Sequence, residues 1–454
     1  MLKAKQTTYK HSELKAQYKE VAILSIPIIL YHFIEMLFPF FNTNFAAKIG
    51  KTELASLAIA NSAFITLMGF GWGIISIIGI NTSEMIGKNL QHRIGINLKA
   101  AIPNIIILGL ILMSILYNIE HVWRYCKQDT EVVKIATLYN KGIMWGIIPD
   151  LLKYAIFQYC INLGFTRVIL ITHIIYLPIL FFINNFFIWE YKGQGLGMLG
   201  LGLGTAITYW LMFFSIFIYI FLQKKIRASL QFKYSFAEYQ ETIKRQIKEG
   251  VPIGLMFMLE ILFFSVIALF LGAISQDALA AFQICGQWIH LFIIATYGFA
   301  EVIAILVSRS FATNDTQKIK TYYKICLKFS LITSIIGALL FVFLPENLIA
   351  FDINIYDLKN KAVVQLAKQF FAFNAIILCL DCMRIILTSA LRGMNFASYA
   401  LKIGTVSFWV LGLPICYILT FILKLGAIGV FIGMILIMLI NIFFAKAKFL
   451  QVVR

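Results

Sequence analysis

Charge is scarce in this chain. Asp, Glu, Lys and Arg make up only 13% of its 454 residues, whereas 61% are hydrophobic, and the mean hydropathy is +0.86. A soluble protein of this size cannot hide so much apolar surface, so the soluble globular classes are excluded. Histidine is scarce too. The six present are dispersed, with no His/Asp metal spacing and no nucleophile–base pair, so an enzyme is not expected. No Walker A lysine motif occurs, and an ATP-driven pump would need a separate subunit. The seven cysteines are scattered, and Cys379 and Cys382 form a C-x-x-C with no second pair, inside an apolar run. They read as buried packing residues, not as a zinc or redox site. The start of the chain lacks a charged region, a short apolar stretch and a small-residue cleavage site in that order. Residues 1–20 are polar and lysine-rich, and the first membrane segment is expected to be retained.

What the chain does have is repeated apolar runs of about 20 residues, the length that crosses a hydrocarbon core of about 30 Å. Twelve spans are expected, at 21–45, 53–80, 97–118, 135–158, 168–189, 199–222, 250–273, 279–307, 327–345, 365–391, 401–422 and 426–446. The fold class is therefore an all-α polytopic membrane protein. The stretch 223–249, KKIRASLQFKYSFAEYQETIKRQIKEG, reads as a cytoplasmic linker between a first lobe (21–222) and a second (250–446). Tails at 1–20 and 447–454 flank them. With both tails on one side, alternate loops and tails hold 26 Lys and Arg on that side and 10 on the other. Positive charge stays cytoplasmic, so both termini are expected inside. The net charge of +18 is thus a topology signal with anionic lipid beside it, not a nucleic-acid footprint.

The halves are related to each other. Residues 27–89 slide onto 252–314 at a constant offset of 225, bringing Pro27 onto Pro252, Gly73 onto Gly298, Ser83 onto Ser308 and Asn89 onto Asn314. Glu35 falls on Glu260, each eight residues after its proline. Apolar coincidences are cheap in so biased a composition, whereas a rare carboxylate shared at a fixed distance from a shared proline is not. Six spans per repeat is an even number, so the repeats run parallel, and a substrate path is expected between them near the midplane.

An ionisable group in hydrocarbon costs about 2.5–3.5 kcal/mol on insertion scales, so each one requires a reason. Glu260 stands alone in VPIGLMFMLEILFFSVIALFLG, residues 251–272, about ten residues from either end of its span. It is either helix glue, held protonated, or a group that exchanges a proton or a cation. Asp381 is followed by Arg384 three residues later, on the same helical face, and Asp150 with Lys153 echoes the pair in the first half. Each pair reads either as a local ion pair that lowers its own insertion cost or as part of a site. Glu35 and Asn42, seven apart, share a face of the first span, and Glu301 and Gln283 add polar groups to the eighth. GLGMLG at 195–200 fits a dinucleotide fingerprint, but it follows no strand, and helix packing or a short turn is expected there.

The runs GVPIGLMFMLEILFFSVIALFLG with ALAAFQI, LDCMRIILTSALRG, FWVLGLPICYIL at 408–419, GLGLGTAITYW at 200–210 and FNTNFAAKIG at 41–50 carry a resemblance. Over nearly the whole chain, in order and spacing, the sequence resembles the NorM-type branch of the MATE multidrug transporters. The resemblance implies a V-shaped fold of two six-helix lobes that exports amphipathic, often cationic compounds, driven by inward flow of Na⁺ or H⁺. It matches Glu260 and Asp381 to the cation site of the second lobe, where they would hold Na⁺ in a Na⁺-coupled member, and Gln283 to a polar residue near it. Asn42 departs from the pattern by standing where the family has an aspartate, with Glu35 as the nearby substitute. Arg384 also departs, because its place is usually uncharged. The expectation is a monomeric multi-pass protein of the inner membrane, an antiporter without a cofactor. A flippase for lipid-linked precursors is the alternative within the same fold, and a channel is a weaker one.

Overall fold

A computed structural model describes the backbone of residues 2–193, 195–230 and 232–454, and the side chains of these except 2–11, 192 and 225. The described chain is helical almost throughout. Eleven of its helices are long and apolar enough to cross a membrane. The stretch expected as the fourth span is helical as well, in two pieces, α5 (Thr130–Ile143) and α6 (Ile147–Asn162), joined by a tighter turn at Met144–Gly146. Buried Asp150 and Lys153 lower its hydropathy, so length and composition alone do not place it among the eleven.

The chain divides into two compact units. The first comprises Leu30–Met258; the second comprises Met1–Ile29 together with Leu259–Arg454. Two long helices therefore serve both units, α1 (Leu2–Ile49) and α10 (Phe236–Ile274). Both outrun the expected spans, because hydropathy detects only the apolar part of a helix that continues into a polar flank. Much of the 223–249 stretch is helix for this reason: α9 (Lys224–Leu230), then the start of α10. That polar start is tied to the first unit by Arg245, which donates to Glu84 at 2.5 Å and to Glu249 at 3.0 Å.

Within the first unit, α2 (Lys51–Ile75), α3 (Ile77–Gly87), α4 (Ile94–Tyr125), α7 (Thr166–Asn185) and α8 (Gly197–Leu222) enclose α6. Asp129 caps α5, accepting from the backbone N–H groups of Glu131 and Val132 at 2.9 and 3.1 Å. Helices α5 and α8 cross closely at Gly142, where a Cβ would meet the backbone of Leu199 and Leu203 at 2.7 Å. GLGMLG is the turn entering α8: Gly195 and Gly197 take positive φ, and Gly200 packs on the backbone of Phe187.

In the second unit, α11 (Gln276–Ala312) and α14 (Lys361–Gly393) pack along each other, with α12 (Thr316–Phe343) against both and α17 (Ala427–Val452) against α14. Ser275 caps α11 and Asp315 caps α12, each accepting a backbone N–H at 3.0 Å. Phenylalanines fill the core, with Phe370 and Phe431 at 4.5 Å and Phe341 and Phe371 at 5.0 Å. Between α15 (Ala397–Gly404) and α17 the helix widens at Thr405–Gly412 and again at Ile418–Ile422, on either side of Pro414, which has no N–H to give.

The repeat is visible in the backbone. Asn89 and Asn314, 225 positions apart, both end helices in the left-handed region, at φ 58° and 56°. Gly164 and Asn395 do the same 231 positions apart, which is also the spacing from Asp150 to Asp381 and from Lys153 to Arg384.

Candidate functional site

Most of the charged groups that the sequence singles out fall into one cluster in each unit. In the second, Glu260 of α10 points inward. Arg384 of α14 donates to both of its oxygens, from Nη2 to Oε1 at 2.5 Å and from Nη1 to Oε2 at 3.2 Å. Its Nε donates to Asp381 Oδ1 at 2.6 Å, so one guanidinium bridges two carboxylates. Asp381 and Arg384 are one helical turn apart, which puts both on the face of α14 that meets α10. The guanidinium lies over the ring of Phe408, 5.1 Å from its centroid, and Phe408 packs on Phe263 at 4.9 Å. Trp409 Nε1 donates to the carbonyl of Leu259 at 3.1 Å, anchoring α10 next to Glu260. Tyr297 of α11 lies within electrostatic reach of all three charges. The side chains of Arg384, Asp381 and Glu260 are 4%, 9% and 16% exposed, so the cluster is closed off from solvent and its charges act across a low dielectric.

The first unit repeats the arrangement with different reach. Lys153 Nζ lies 2.6 Å from Asp150 Oδ1, both on α6 and both 3% exposed. Trp72 Nε1 donates to the other carboxylate oxygen at 2.8 Å, and Trp72 is the repeat counterpart of Tyr297. The ammonium also sits over Tyr209 and Phe157, at 5.0 and 5.8 Å. Glu35, the counterpart of Glu260, is within electrostatic reach of Lys153, but its close partner is His32 Nδ1 at 3.6 Å. The ammonium is a point charge seated on one carboxylate, whereas the guanidinium presents five donors in a fork and here engages two carboxylates. Tyr31 lies between His32 and His173, with ring centroids at 4.2 and 4.7 Å. His173 is buried, and its Nδ1 meets the Ile169 carbonyl at 2.9 Å.

Asn42 belongs to a separate buried network. It accepts from Asn184 Nδ2 at 2.9 Å and donates to Thr205 Oγ1 at 3.2 Å, and Tyr139 bonds to it as well. Asn185, adjacent in sequence, faces the other way and donates to Glu190 at 3.1 Å. Gln283 is exposed on α11, and Glu301, on the same helix, is partly buried. The structure thus brings together Glu260, Arg384 and Asp381, then Asp150 and Lys153 near Glu35, and leaves Gln283 on an exposed face. Sequence reasoning missed His32, His173, Trp72, Tyr209, Phe408 and Tyr297. A signal existed for two of them: Trp72 and Tyr297 correspond at the repeat offset of 225.

Na⁺ is a hard cation that takes oxygen ligands, and Glu260 and Asp381 supply oxygens. Yet three of their four carboxylate oxygens already accept from Arg384. Among the described residues no group of three or more His, Cys, Asp or Glu side chains is arranged to hold a metal ion.

Comparison with known proteins gives a consistent result. The MatE family model matches residues 27–187 and 252–418, once in each half, and the two matches start 225 positions apart. The chain is 25% identical over 397 residues to the multidrug resistance protein NorM of Aliivibrio fischeri, covering 87% of this chain and 85% of that one. It is 26% identical over 442 residues to the probable multidrug resistance protein NorM of Oceanobacillus iheyensis, covering 94% and 95%. Its fold is similar to that of the Vibrio cholerae MATE transporter VcmN in the bent form, with a TM-score of 0.82 at 15% identity over 98% of each chain.

Proposed function

Since the chain belongs to the MatE family, we propose that it is a secondary multidrug exporter of the inner membrane that expels organic, mainly cationic compounds in exchange for an inorganic cation. The relatives named as multidrug resistance proteins support the cargo class. The observation that carries the mechanism is the buried Glu260–Arg384–Asp381 cluster, which holds two carboxylates and one guanidinium. One guanidinium faces two carboxylates, so the cluster is net negative whenever both acids are ionised, which is the electrostatic condition for receiving a cationic guest.

Transport then proceeds by alternating access between a first lobe, 21–222, and a second, 250–446, of a monomer with both termini in the cytoplasm. A cationic guest and the incoming ion compete for the same carboxylates, so each lowers the affinity for the other by the same factor. The first-unit groups Glu35, Asp150 and Lys153 form the matching half of the device by the repeat, with Asn42, Gln283 and Glu301 as accessory polar groups. The flippase reading needs free basic groups for a pyrophosphate. Lys153 and Arg384 are both engaged by aspartates three residues before them, which favours the export of cations.

Uptake of a fluorescent organic cation into everted vesicles tests the reading, with a Na⁺ gradient and a pH gradient imposed separately. Glu260→Gln is expected to abolish coupled transport while the protein remains in the membrane. Transport by this variant at the unsubstituted rate would refute the assignment.

A further inference from the structure

The cation between Glu260 and Asp381 is already supplied by the chain. We infer that Arg384 is a tethered counter-ion: its guanidinium takes the position that an exchangeable metal cation would need, so the second-unit site takes no Na⁺ and no Na⁺ gradient acts through it. The inference rests on the reading of this cluster as the transport site and narrows its coupling ion.

Three observations converge. Arg384 fills both oxygens of Glu260 and one of Asp381, leaving only Asp381 Oδ2 free of it. An alkali ion would need several of these oxygens at once and would sit beside a fixed positive charge with little water to screen it. The guanidinium is also held from its face by Phe408, so it has a definite seat in the cluster. Finally, the repeat has done the same thing twice. At the equivalent position of the first unit Lys153 is set on Asp150, again from three residues downstream and again at 2.6 Å. Two different side chains, each cationic and each seated on the repeat-related aspartate, point to a requirement for an internal positive charge at this place.

The consequence is a different exchange. A guest must compete with a side chain that cannot diffuse away, and release of the guanidinium from Glu260 requires a proton on the carboxylate or an organic cation in its place. Removing Arg384 reverses the situation: two adjacent buried carboxylates are left without a cation, and such a pair recruits one from solution.

The test is the thermal midpoint of the full-length purified protein in Na⁺ and in K⁺ at equal ionic strength. The unsubstituted protein is expected to have the same midpoint in both salts. Arg384→Gln is expected to gain a Na⁺-specific upward shift, and the double variant Arg384→Gln/Glu260→Gln to lose it. If the glutamine variant does not fold, the comparison of the unsubstituted protein with Glu260→Gln in the two salts still decides the inference. A Na⁺-specific shift in the unsubstituted protein that Glu260→Gln abolishes would overturn the inference, as would a folded Arg384→Gln that shows no preference between the salts. These readouts need no transport, so the inference can fail while the loss of efflux in Glu260→Gln stands, and the reverse is equally possible.

Discussion

Replacing Lys153 alone should unsettle the first unit, and replacing it together with Asp150 should not. Lys153→Met leaves the Asp150 carboxylate 3% exposed with one remaining donor, the Trp72 indole at 2.8 Å. Breaking a buried ion pair by removing one partner costs about 3–5 kcal/mol, because the other charge is stranded. The insertion cost of a lone carboxylate at mid-bilayer, about 2.5–3.5 kcal/mol, falls in the same range. The indole bond offsets a part, so about 3 kcal/mol is expected, roughly a hundredfold in the folded-to-unfolded ratio. Asp150→Leu strands the ammonium, with the rings of Tyr209 and Phe157 and the more distant Glu35 as its remaining support, at a similar cost. The double variant strands neither charge and leaves only the Trp72 N–H without its acceptor, so it should stay within about 1–2 kcal/mol of the unsubstituted protein. The coupling between the two sites is then about 4 kcal/mol or more, well above the few tenths expected of independent positions. Heat-induced loss of monodisperse protein, followed by size exclusion in one detergent–lipid mixture, measures all four corners. If the double variant falls by the sum of the two singles, the pair is not a pair, and the reasoning fails for both units.

Other predictions need less. Cys126 is the one fully exposed cysteine among the seven and lies in the loop after α4, on the side opposite the termini in the proposed orientation. A membrane-impermeant maleimide added to intact cells is expected to label it and spare the six others; labelling only after permeabilisation would invert the topology. Gly142→Ala is expected to destabilise the first unit by about 1–3 kcal/mol, because the new methyl meets the backbone of α8 and cannot push it aside. Gly286→Ala, with nothing within 4 Å of the new methyl, should be neutral or stabilising by up to about 1 kcal/mol. A lower melting midpoint for both variants, or for neither, would contradict the close-packing argument.

Much of the architecture could be read from composition and order alone. Apolar runs separated by polar loops specify membrane helices because every backbone group must be satisfied within its own segment once water is absent. The repeat was legible because rare residues, a proline and a carboxylate, keep their spacing through an otherwise uninformative apolar background. The sequence also located the ionisable groups, since any charge inside such a run is conspicuous. It did not determine where helices end, because α1 and α10 continue into polar flanks where hydropathy carries no signal. Nor did it determine partners. An aspartate and an arginine three residues apart share a helical face in any fold, but only the tertiary structure decides that the guanidinium reaches Glu260 of α10 as well. The corresponding first-unit glutamate, equally visible in sequence, has His32 as its near partner, while the Lys153 ammonium is seated on Asp150. Local spacing fixes which charges lie on one face; contact across 124 residues depends on how helices are set side by side and how far each side chain reaches, and that is a property of the tertiary structure.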